Sequence, residues 1–166
     1  SMGGMVGQWL GANAPERVER MVLTNTSSFF PDKAGWNERL KLVAEKGVPA
    51  FAAPNMARWF TAGFLQRAPE TVAPIQAMFA ATPLEGYLAC GAAVRDRDQR
   101  ALLPKITAPT LVIAGRHDAA TPPEANEFIA KNIPGAEYST LDAAHMSNVE
   151  QRDAYTDAVL SFLTRR

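Results

Sequence analysis

Apolar residues recur at helical spacing in the opening segment of the chain. Met5, Trp9 and Ala12 follow Ser1-Met2-Gly3-Gly4 at intervals of three and four residues, which predicts an amphipathic helix. Asn13-Ala14-Pro15 would end this helix, because proline does not continue a helical backbone.

Short continuous apolar runs predict the buried strands of a parallel sheet. Two such runs occur, at Val18–Asn25 and Thr110–Gly115, and Glu137–Leu141 is predicted as a last short strand. Helical patterns lie between them, and this alternation is typical of α/β architecture. Three strands are few for a doubly wound sheet, so we expect further strands before Ser1.

Helical patterns replace strand patterns between Phe29 and Arg100. The predicted helices are Trp36–Lys46, Pro54–Phe64, Pro69–Phe79 and Leu84–Val94. We therefore expect core segments at residues 1–28 and 101–166, with an all-helical insertion at 29–100. Such an insertion is either a lid over an active site or a subdomain with no gating role.

Two further helices are predicted in the C-terminal third. Thr121-Pro122-Pro123-Glu124 has the pattern of a helix start, with a threonine cap, prolines in the first turn and a capping-box glutamate. Asn148–Leu163 carries apolar residues on one face and predicts a closing amphipathic helix.

Composition narrows the classes of function. The 17 basic and 17 acidic residues among 166 cancel, which argues against a nucleic-acid or anionic-membrane surface. The single cysteine, Cys90, excludes an internal disulfide framework and favours a reducing, cytoplasmic compartment; we expect its thiol to be a small buried group. No apolar run approaches the roughly 20 residues of a membrane span.

Ser1-Met2-Gly3-Gly4 has the pattern of the second half of a nucleophile elbow, the strand-to-helix turn that exposes a catalytic serine. The complete motif has a glycine two places before the serine. We therefore expect the chain to be the C-terminal part of a larger enzyme whose preceding segment is required.

Three candidate catalytic residues each adjoin a predicted strand end or helix start. They are Ser1, Asp118 and His145, and this order along the chain is the order of α/β-hydrolases. Serine needs a base to act as a nucleophile at neutral pH. We expect His145 to be that base, Asp118 to orient its imidazole, and the backbone N–H of Met2 to be one oxyanion donor.

Each candidate has a structural alternative. Asp118 could cap a turn, His145 could be a packed core residue, and Ser1-Met2 could be an expression remnant. A second enzymatic alternative makes the α-amine of Ser1 its own base, which leaves Asp118 and His145 unexplained. The other histidine, His117, is interpreted as structural.

Motifs throughout the chain resemble the 3-oxoadipate enol-lactonase group of α/β-hydrolases. The resemblance rests on the elbow segment, on Gly115-Arg116-His117-Asp118, and on three motifs of the helical block. Those motifs are Gly35-Trp36-Asn37-Glu38-Arg39, Arg58-Trp59-Phe60-Thr61 and Thr82-Pro83-Leu84-Glu85-Gly86-Tyr87. The resemblance implies hydrolysis of a small carboxylated enol-lactone in aromatic catabolism, without metal or cofactor.

A substrate carboxylate calls for a cation, ideally the two-pronged guanidinium of arginine. Arg39, Arg58 and Arg95 are the candidates in the helical block, although each could be a solvated surface residue. Trp36, Arg58 and Trp59 are our candidate substrate-binding residues.

The sequence therefore predicts the C-terminal part of an α/β-hydrolase fold, with parallel strands, flanking helices and an inserted helical lid. The expected function is serine-dependent hydrolysis of a lactone or ester through an acyl-enzyme. A lidded esterase or carbon–carbon bond hydrolase is the enzymatic alternative. The non-enzymatic alternative is a ligand-binding module or an inactive, poorly soluble fragment with exposed strand edges.

Overall fold

The computed structural model describes residues 1–165, which form two compact units. One, called the core unit here, comprises Ser1–Ser28 and the segment that begins at Asp98. The other, Phe29–Arg97, is called the helical unit.

A three-stranded parallel sheet forms the centre of the core unit. Its strands are β1 (Met21–Thr24), β2 (Thr110–Gly115) and β3 (Glu137–Leu141), in the order β1-β2-β3. Met21 is level with Thr110 on β2, and Leu111 is level with Glu137 on β3. All three carboxyl ends therefore lie at the same edge of the sheet, where the loops that follow them can meet.

Helices cover both faces of the sheet. The core-unit helices are α1 (Met2–Asn13), α7 (Pro123–Asn132), α8 (Ser147–Glu150) and α9 (Arg152–Leu163). On one face Leu23 and Val112 pack against Ile129 of α7; on the other, Leu111 and Ile113 pack against Phe162 of α9. Every residue of β2 is buried, which explains why its sequence is a continuous apolar run.

Five α-helices make up the helical unit. They are α2 (Lys33–Lys46), α3 (Ala52–Trp59), α4 (Ala62–Arg67), α5 (Pro69–Ala80) and α6 (Leu84–Asp96). The side chain of Asp32 accepts a hydrogen bond from the Gly35 N–H and caps α2. Gly91 of α6 lies against Leu40 of α2, where a β-carbon would come within 2.5 Å of the leucine. This glycine therefore lets the two helices approach closely.

The three predicted strands are present, and the parallel α/β architecture is confirmed. The first strand is shorter than predicted, since the charged Glu19 and Arg20 precede it rather than join it. The helix predicted at Pro54–Phe64 is divided into α3 and α4, because Thr61 caps a new helix. The helix predicted at Asn148–Leu163 is similarly divided at Gln151.

Two local predictions are wrong. Cys90 is exposed rather than buried: the buried residue of α6 is its neighbour Gly91. Thr121 does not cap α7: the helix begins at Pro123, and the threonine hydroxyl bonds a carboxylate instead.

Within residues 1–165, no single helix is long and apolar enough to cross a membrane. One pair of helices, α5 and α6, meets the length and composition criteria together, with a bend of 94° between them.

Candidate active site

The loops that follow β2 and β3 are joined by backbone hydrogen bonds. Arg116 N–H donates to Leu141 O at 2.8 Å, and His117 N–H donates to Ala143 O at 2.9 Å. These bonds extend the pairing of the two strands beyond the sheet. They bring the segment carrying Asp118 alongside the segment carrying His145.

Asp118 and His145 are in direct contact. Oδ2 of Asp118 lies 2.8 Å from Nδ1 of His145, and both side chains are buried. An ionised carboxylate only accepts hydrogen bonds, so Nδ1 of the imidazole is the donor. This contact leaves the lone pair of Nε2 as the basic site of a neutral His145.

Further donors surround the carboxylate of Asp118. Oδ1 accepts the backbone N–H groups of Ala120 and Thr121, and Oδ2 accepts the hydroxyl of Thr121. Burial alone would raise the pKa of Asp118, but the hydrogen bond and charge of His145 and the bonds from Thr121 lower it to about 2. Asp118 is therefore ionised at neutral pH.

Asn25 is a member of this cluster that sequence reasoning missed. It follows β1, is 2% exposed, and donates from Nδ2 to Oδ2 of Asp118 at 2.9 Å. Its φ of 45° lies in the left-handed region, which asparagine tolerates better than most residues. A polar residue closing an apolar run was the available signal.

The segment before His145 is held by two features of the core unit. The carboxylate of Glu150, on α8, accepts the backbone N–H of Ala144 at 3.0 Å. Gly115 ends β2 without a side chain, where a β-carbon would lie 2.1 Å from Ala144 O. A close approach of two backbones therefore requires glycine here.

Ser1 stands immediately before α1, near the carboxyl end of β1. Its carbonyl accepts the hydroxyl of Thr26 at 2.6 Å, and its amino group donates to Thr24 O at 3.3 Å. Ser1 is exposed as a residue, and its side chain makes no capping hydrogen bond to α1. Met2 opens the first turn of α1, where a backbone N–H has no intrahelical acceptor.

His117 lies on the surface beside the cluster. Its Nε2 is 2.7 Å from Oδ1 of Asp142, and about half of its side chain is exposed. This contact joins the loops after β2 and β3 and is consistent with the structural interpretation of His117. Within the described part of the chain, no three His, Cys, Asp or Glu side chains are grouped as metal ligands.

The candidate binding residues of the helical unit have different surroundings. Trp36 packs edge-on against Phe30 at 5.6 Å, and Trp59 packs edge-on against Phe79 at 5.5 Å. Arg58 is exposed on α3. Both tryptophans are partly buried and contribute to the packing of this unit.

Arg39 is held by neutral groups. Its Nε donates to the Tyr87 hydroxyl at 2.8 Å, and its Nη2 donates to Oδ1 of the buried Asn55 at 2.7 Å. The guanidinium carbon also lies 5.7 Å from the ring centre of Trp36. Within residues 1–165, no carboxylate lies within ion-pair distance of Arg39, whereas Arg95 is paired with Asp96 at 2.7 Å.

Comparisons with known proteins point to one family. A family profile described as alpha/beta hydrolase fold matches residues 1–151. The curated protein 3-oxoadipate enol-lactonase 2 of Acinetobacter baylyi is 37% identical over 165 residues, which cover 99% of this chain and 62% of that protein.

Solved structures of two hydrolases superpose closely on the chain. The enol-lactonase from Burkholderia xenovorans is 39% identical with a TM-score of 0.96, over 99% of this chain and 64% of that one. A malate-bound thermophilic esterase from Thermogutta terrifontis is 28% identical with a TM-score of 0.88, over 98% of this chain and 62% of that one. The chain thus spans slightly less than two thirds of the length of these proteins.

Proposed function

Since the chain belongs to the α/β-hydrolase family, we propose that the protein is a serine hydrolase that cleaves a small lactone or ester. The observation that carries this proposal is the buried contact between Asp118 and His145 at the carboxyl ends of two parallel strands. The parallel sheet also disfavours the alternative in which the α-amine of Ser1 is the base, since that alternative goes with stacked antiparallel sheets.

In the proposed reaction, His145 takes the proton of the Ser1 hydroxyl as the serine oxygen attacks the acyl carbon. The backbone N–H of Met2 stabilises the oxyanion that forms. Collapse of the tetrahedral intermediate breaks the bond between the acyl carbon and the leaving oxygen, to which His145 returns the proton. In a lactone this oxygen remains attached to the acyl chain, so deacylation by water releases a single product.

Asp118 has an electrostatic role in this sequence. Its carboxylate fixes the Nδ1–H tautomer of His145 and stabilises the imidazolium that appears after proton transfer. The low pKa of Asp118, about 2, supports this role, because the carboxylate remains charged throughout the neutral range.

Arg39 supports a carboxylated substrate. A partly buried cation whose partners are neutral retains N–H donors and an unbalanced charge, and a carboxylate would satisfy both. The relatives include 3-oxoadipate enol-lactonases, and the related esterase structure contains malate. We therefore propose 3-oxoadipate enol-lactone as the substrate. Arg39 is proposed as a carboxylate-binding group, in addition to the candidate substrate-binding residues Trp36, Arg58 and Trp59.

The division of the chain into 1–28, 29–100 and 101–166 remains part of the proposal, as does the lid role of the helical block. The helical unit of the structure, Phe29–Arg97, corresponds to that block. A lid would limit the access of bulk water to the bound substrate while the acyl-enzyme forms.

Replacing the nucleophile tests the proposal. The Ser1→Ala variant should lose nearly all turnover of 3-oxoadipate enol-lactone while it still binds the lactone, as measured by calorimetry. Hydrolysis at the wild-type rate would overturn the proposed function. A panel of enol-lactone, aryl esters and a vinylogous diketone separates lactonase, esterase and carbon–carbon hydrolase activity. Binding without turnover by the wild-type protein would favour the ligand-binding module.

A further inference from the structure

The amide of Asn25 connects the ends of all three strands. Asn25 itself follows β1, and its Nδ2 donates both to Asp118 Oδ2, after β2, and to Ala144 O, after β3. Its Oδ1 accepts the hydroxyl of Ser147. Ala144 and Ser147 flank His145 in sequence, so one amide contacts the candidate acid and the chain on both sides of the candidate base.

These partners permit a single orientation of the amide. Asp118 Oδ2 and Ala144 O are acceptors, and the Ser147 hydroxyl donates to the opposite atom of the amide. A flipped amide would place its oxygen against two acceptors. Asn25 and Ser147 are 2% and 0% exposed, so water does not offer an alternative partner.

The backbone at Asn25 is held in an unusual conformation. Within residues 1–165, Asn25 is the non-glycine residue with a positive φ, and its own N–H donates to Ile113 O at 2.9 Å. The left-handed region is costly for most side chains, and such outliers persist where the surrounding structure determines them. From this turn after β1, the amide reaches Oδ2 of Asp118.

We propose that Asn25, oriented by Ser147, is a positioning residue that fixes Oδ2 of Asp118 for its hydrogen bond to Nδ1 of His145. This inference rests on the proposed function, because it assigns the pair to catalysis. Oδ2 also accepts the hydroxyl of Thr121, which lies 3.3 Å from Nδ1 of His145. Thr121, however, follows Asp118 in the same loop after β2. Asn25 supplies a donor from the loop after β1. This donor holds the orientation of the Asp118 carboxylate independently of the loop that carries Asp118.

An amide suits this position better than a carboxyl group would. Its nitrogen can only donate, so it supports the ionised form of Asp118 and does not compete for the imidazole proton. A carboxylate of the same shape would place a second negative charge beside Asp118, and like charges at this distance displace each other or share a proton.

Two variants of the protein and one control test the inference. Asn25→Asp keeps the size of the side chain and the tolerance of a positive φ, but it replaces the donor by a second carboxylate beside Asp118. Ser147→Ala leaves Asn25 in place and removes the group that orients it. The control, Thr110→Val, removes a hydroxyl that is equally buried but bonds Ala108 O at the opposite end of β2.

We expect kcat to fall at least tenfold in Asn25→Asp and three- to tenfold in Ser147→Ala, with KM within twofold of wild type. Thr110→Val should leave kcat within twofold. The Nδ1–H proton of His145, observed as a downfield resonance in proton NMR, should shift or broaden in both variants and not in the control.

The NMR signal needs no substrate, which separates the two proposals. Absence of Ser1-dependent turnover would overturn the proposed function whatever the resonance does. If Ser1-dependent turnover is present, an unchanged resonance and kcat in Ser147→Ala would overturn the role of Asn25. The role of Asn25 would also be contradicted if kcat fell in the two variants only in proportion to their melting temperatures, and Thr110→Val lost as much kcat as they do. If Asn25→Asp fails to fold, Ser147→Ala decides.

Discussion

At the scale of single residues, the carboxylate of Asp118 has the most crowded polar environment of the candidate site. It is withdrawn from water, yet both of its oxygens accept hydrogen bonds, two from backbone N–H groups and others from His145, Asn25 and Thr121. Such a set of donors favours the charged form over the protonated form. The ionisation of Asp118 is therefore linked to folding itself.

This linkage predicts how stability depends on pH. The pKa of Asp118 is lowered from 3.8 to about 2 in the folded protein, so the stabilisation is complete above the unfolded value and is lost as pH falls through the folded value. We expect a contribution on the order of 2 kcal/mol. Urea unfolding of Asp118→Asn should show a smaller loss of stability than wild type between pH 4 and pH 2.

A surface carboxylate provides the matched control. Asp153 on α9 has 85% of its side chain exposed and contacts only its neighbour Arg152 among the ion pairs of the described residues. Asp153→Asn should keep the wild-type pH dependence. Equal pH slopes for Asp118→Asn and wild type would mean that the buried carboxylate does not contribute in this way.

Sequence reasoning identified Ser1, Asp118 and His145 as candidates because each adjoins an element boundary that hydrophobic patterning makes visible. It missed Asn25, whose importance depends on partners 93 and 122 positions away along the chain. It assigned Thr121 to a helix cap for the same reason: local pattern does not reveal that a buried carboxylate competes for the hydroxyl.

At the scale of elements, the close approach of β2 to the chain after β3 determines where His145 lies. Gly115 is the last residue of β2, and the carbonyls of Ala143 and Ala144 approach its α-carbon directly. The breaks at Thr61 and Gln151 were missed, because apolar spacing does not reveal where one helix ends and a new one begins. Strand β2 was the most predictable, because its burial on both faces leaves an uninterrupted apolar run, whereas β3 is largely exposed.

Adding a methyl group at Gly115 should therefore disturb the site as well as the fold. In Gly115→Ala, the β-carbon would lie 2.1 Å from Ala144 O and 2.7 Å from Ala143 O, both of them backbone atoms. We expect unfolding in urea to show a loss of more than about 2 kcal/mol, with a reduced kcat.

Gly86 offers a control for the same substitution. It lies on α6, and a β-carbon added there would have no neighbouring atom within 4 Å, so Gly86→Ala should be neutral or should stabilise the helix by about 0.5–1 kcal/mol. Wild-type stability and turnover in Gly115→Ala would show that the loop before His145 can move without cost.

At the scale of the whole molecule, the chemical groups divide between the two units. The core unit carries Ser1, Asp118 and His145, which serve bond cleavage in the proposed reaction. The helical unit carries Arg39, whose neutral partners leave its charge unbalanced. If the division is functional, changes in the helical unit should affect the choice of substrate more than the chemistry of the acyl group.

Replacing Arg39 by methionine tests this division, because methionine keeps an unbranched apolar stem and removes the charge. For 3-oxoadipate enol-lactone, which carries a carboxylate, KM should rise 10- to 100-fold, the value of a hydrogen bond to a charged group of about 1.5–3 kcal/mol. For an uncharged aryl ester, kcat/KM should stay within twofold of wild type. Arg95→Met is the control, since Arg95 in the same unit is already paired with Asp96. This variant should leave the kinetic constants for both substrates unchanged. Steady-state kinetics on both substrates decide between the outcomes. An equal loss of kcat/KM on the lactone and the ester would assign Arg39 to the packing of the helical unit. An unchanged kcat/KM on both would show that Arg39 does not bind the substrate.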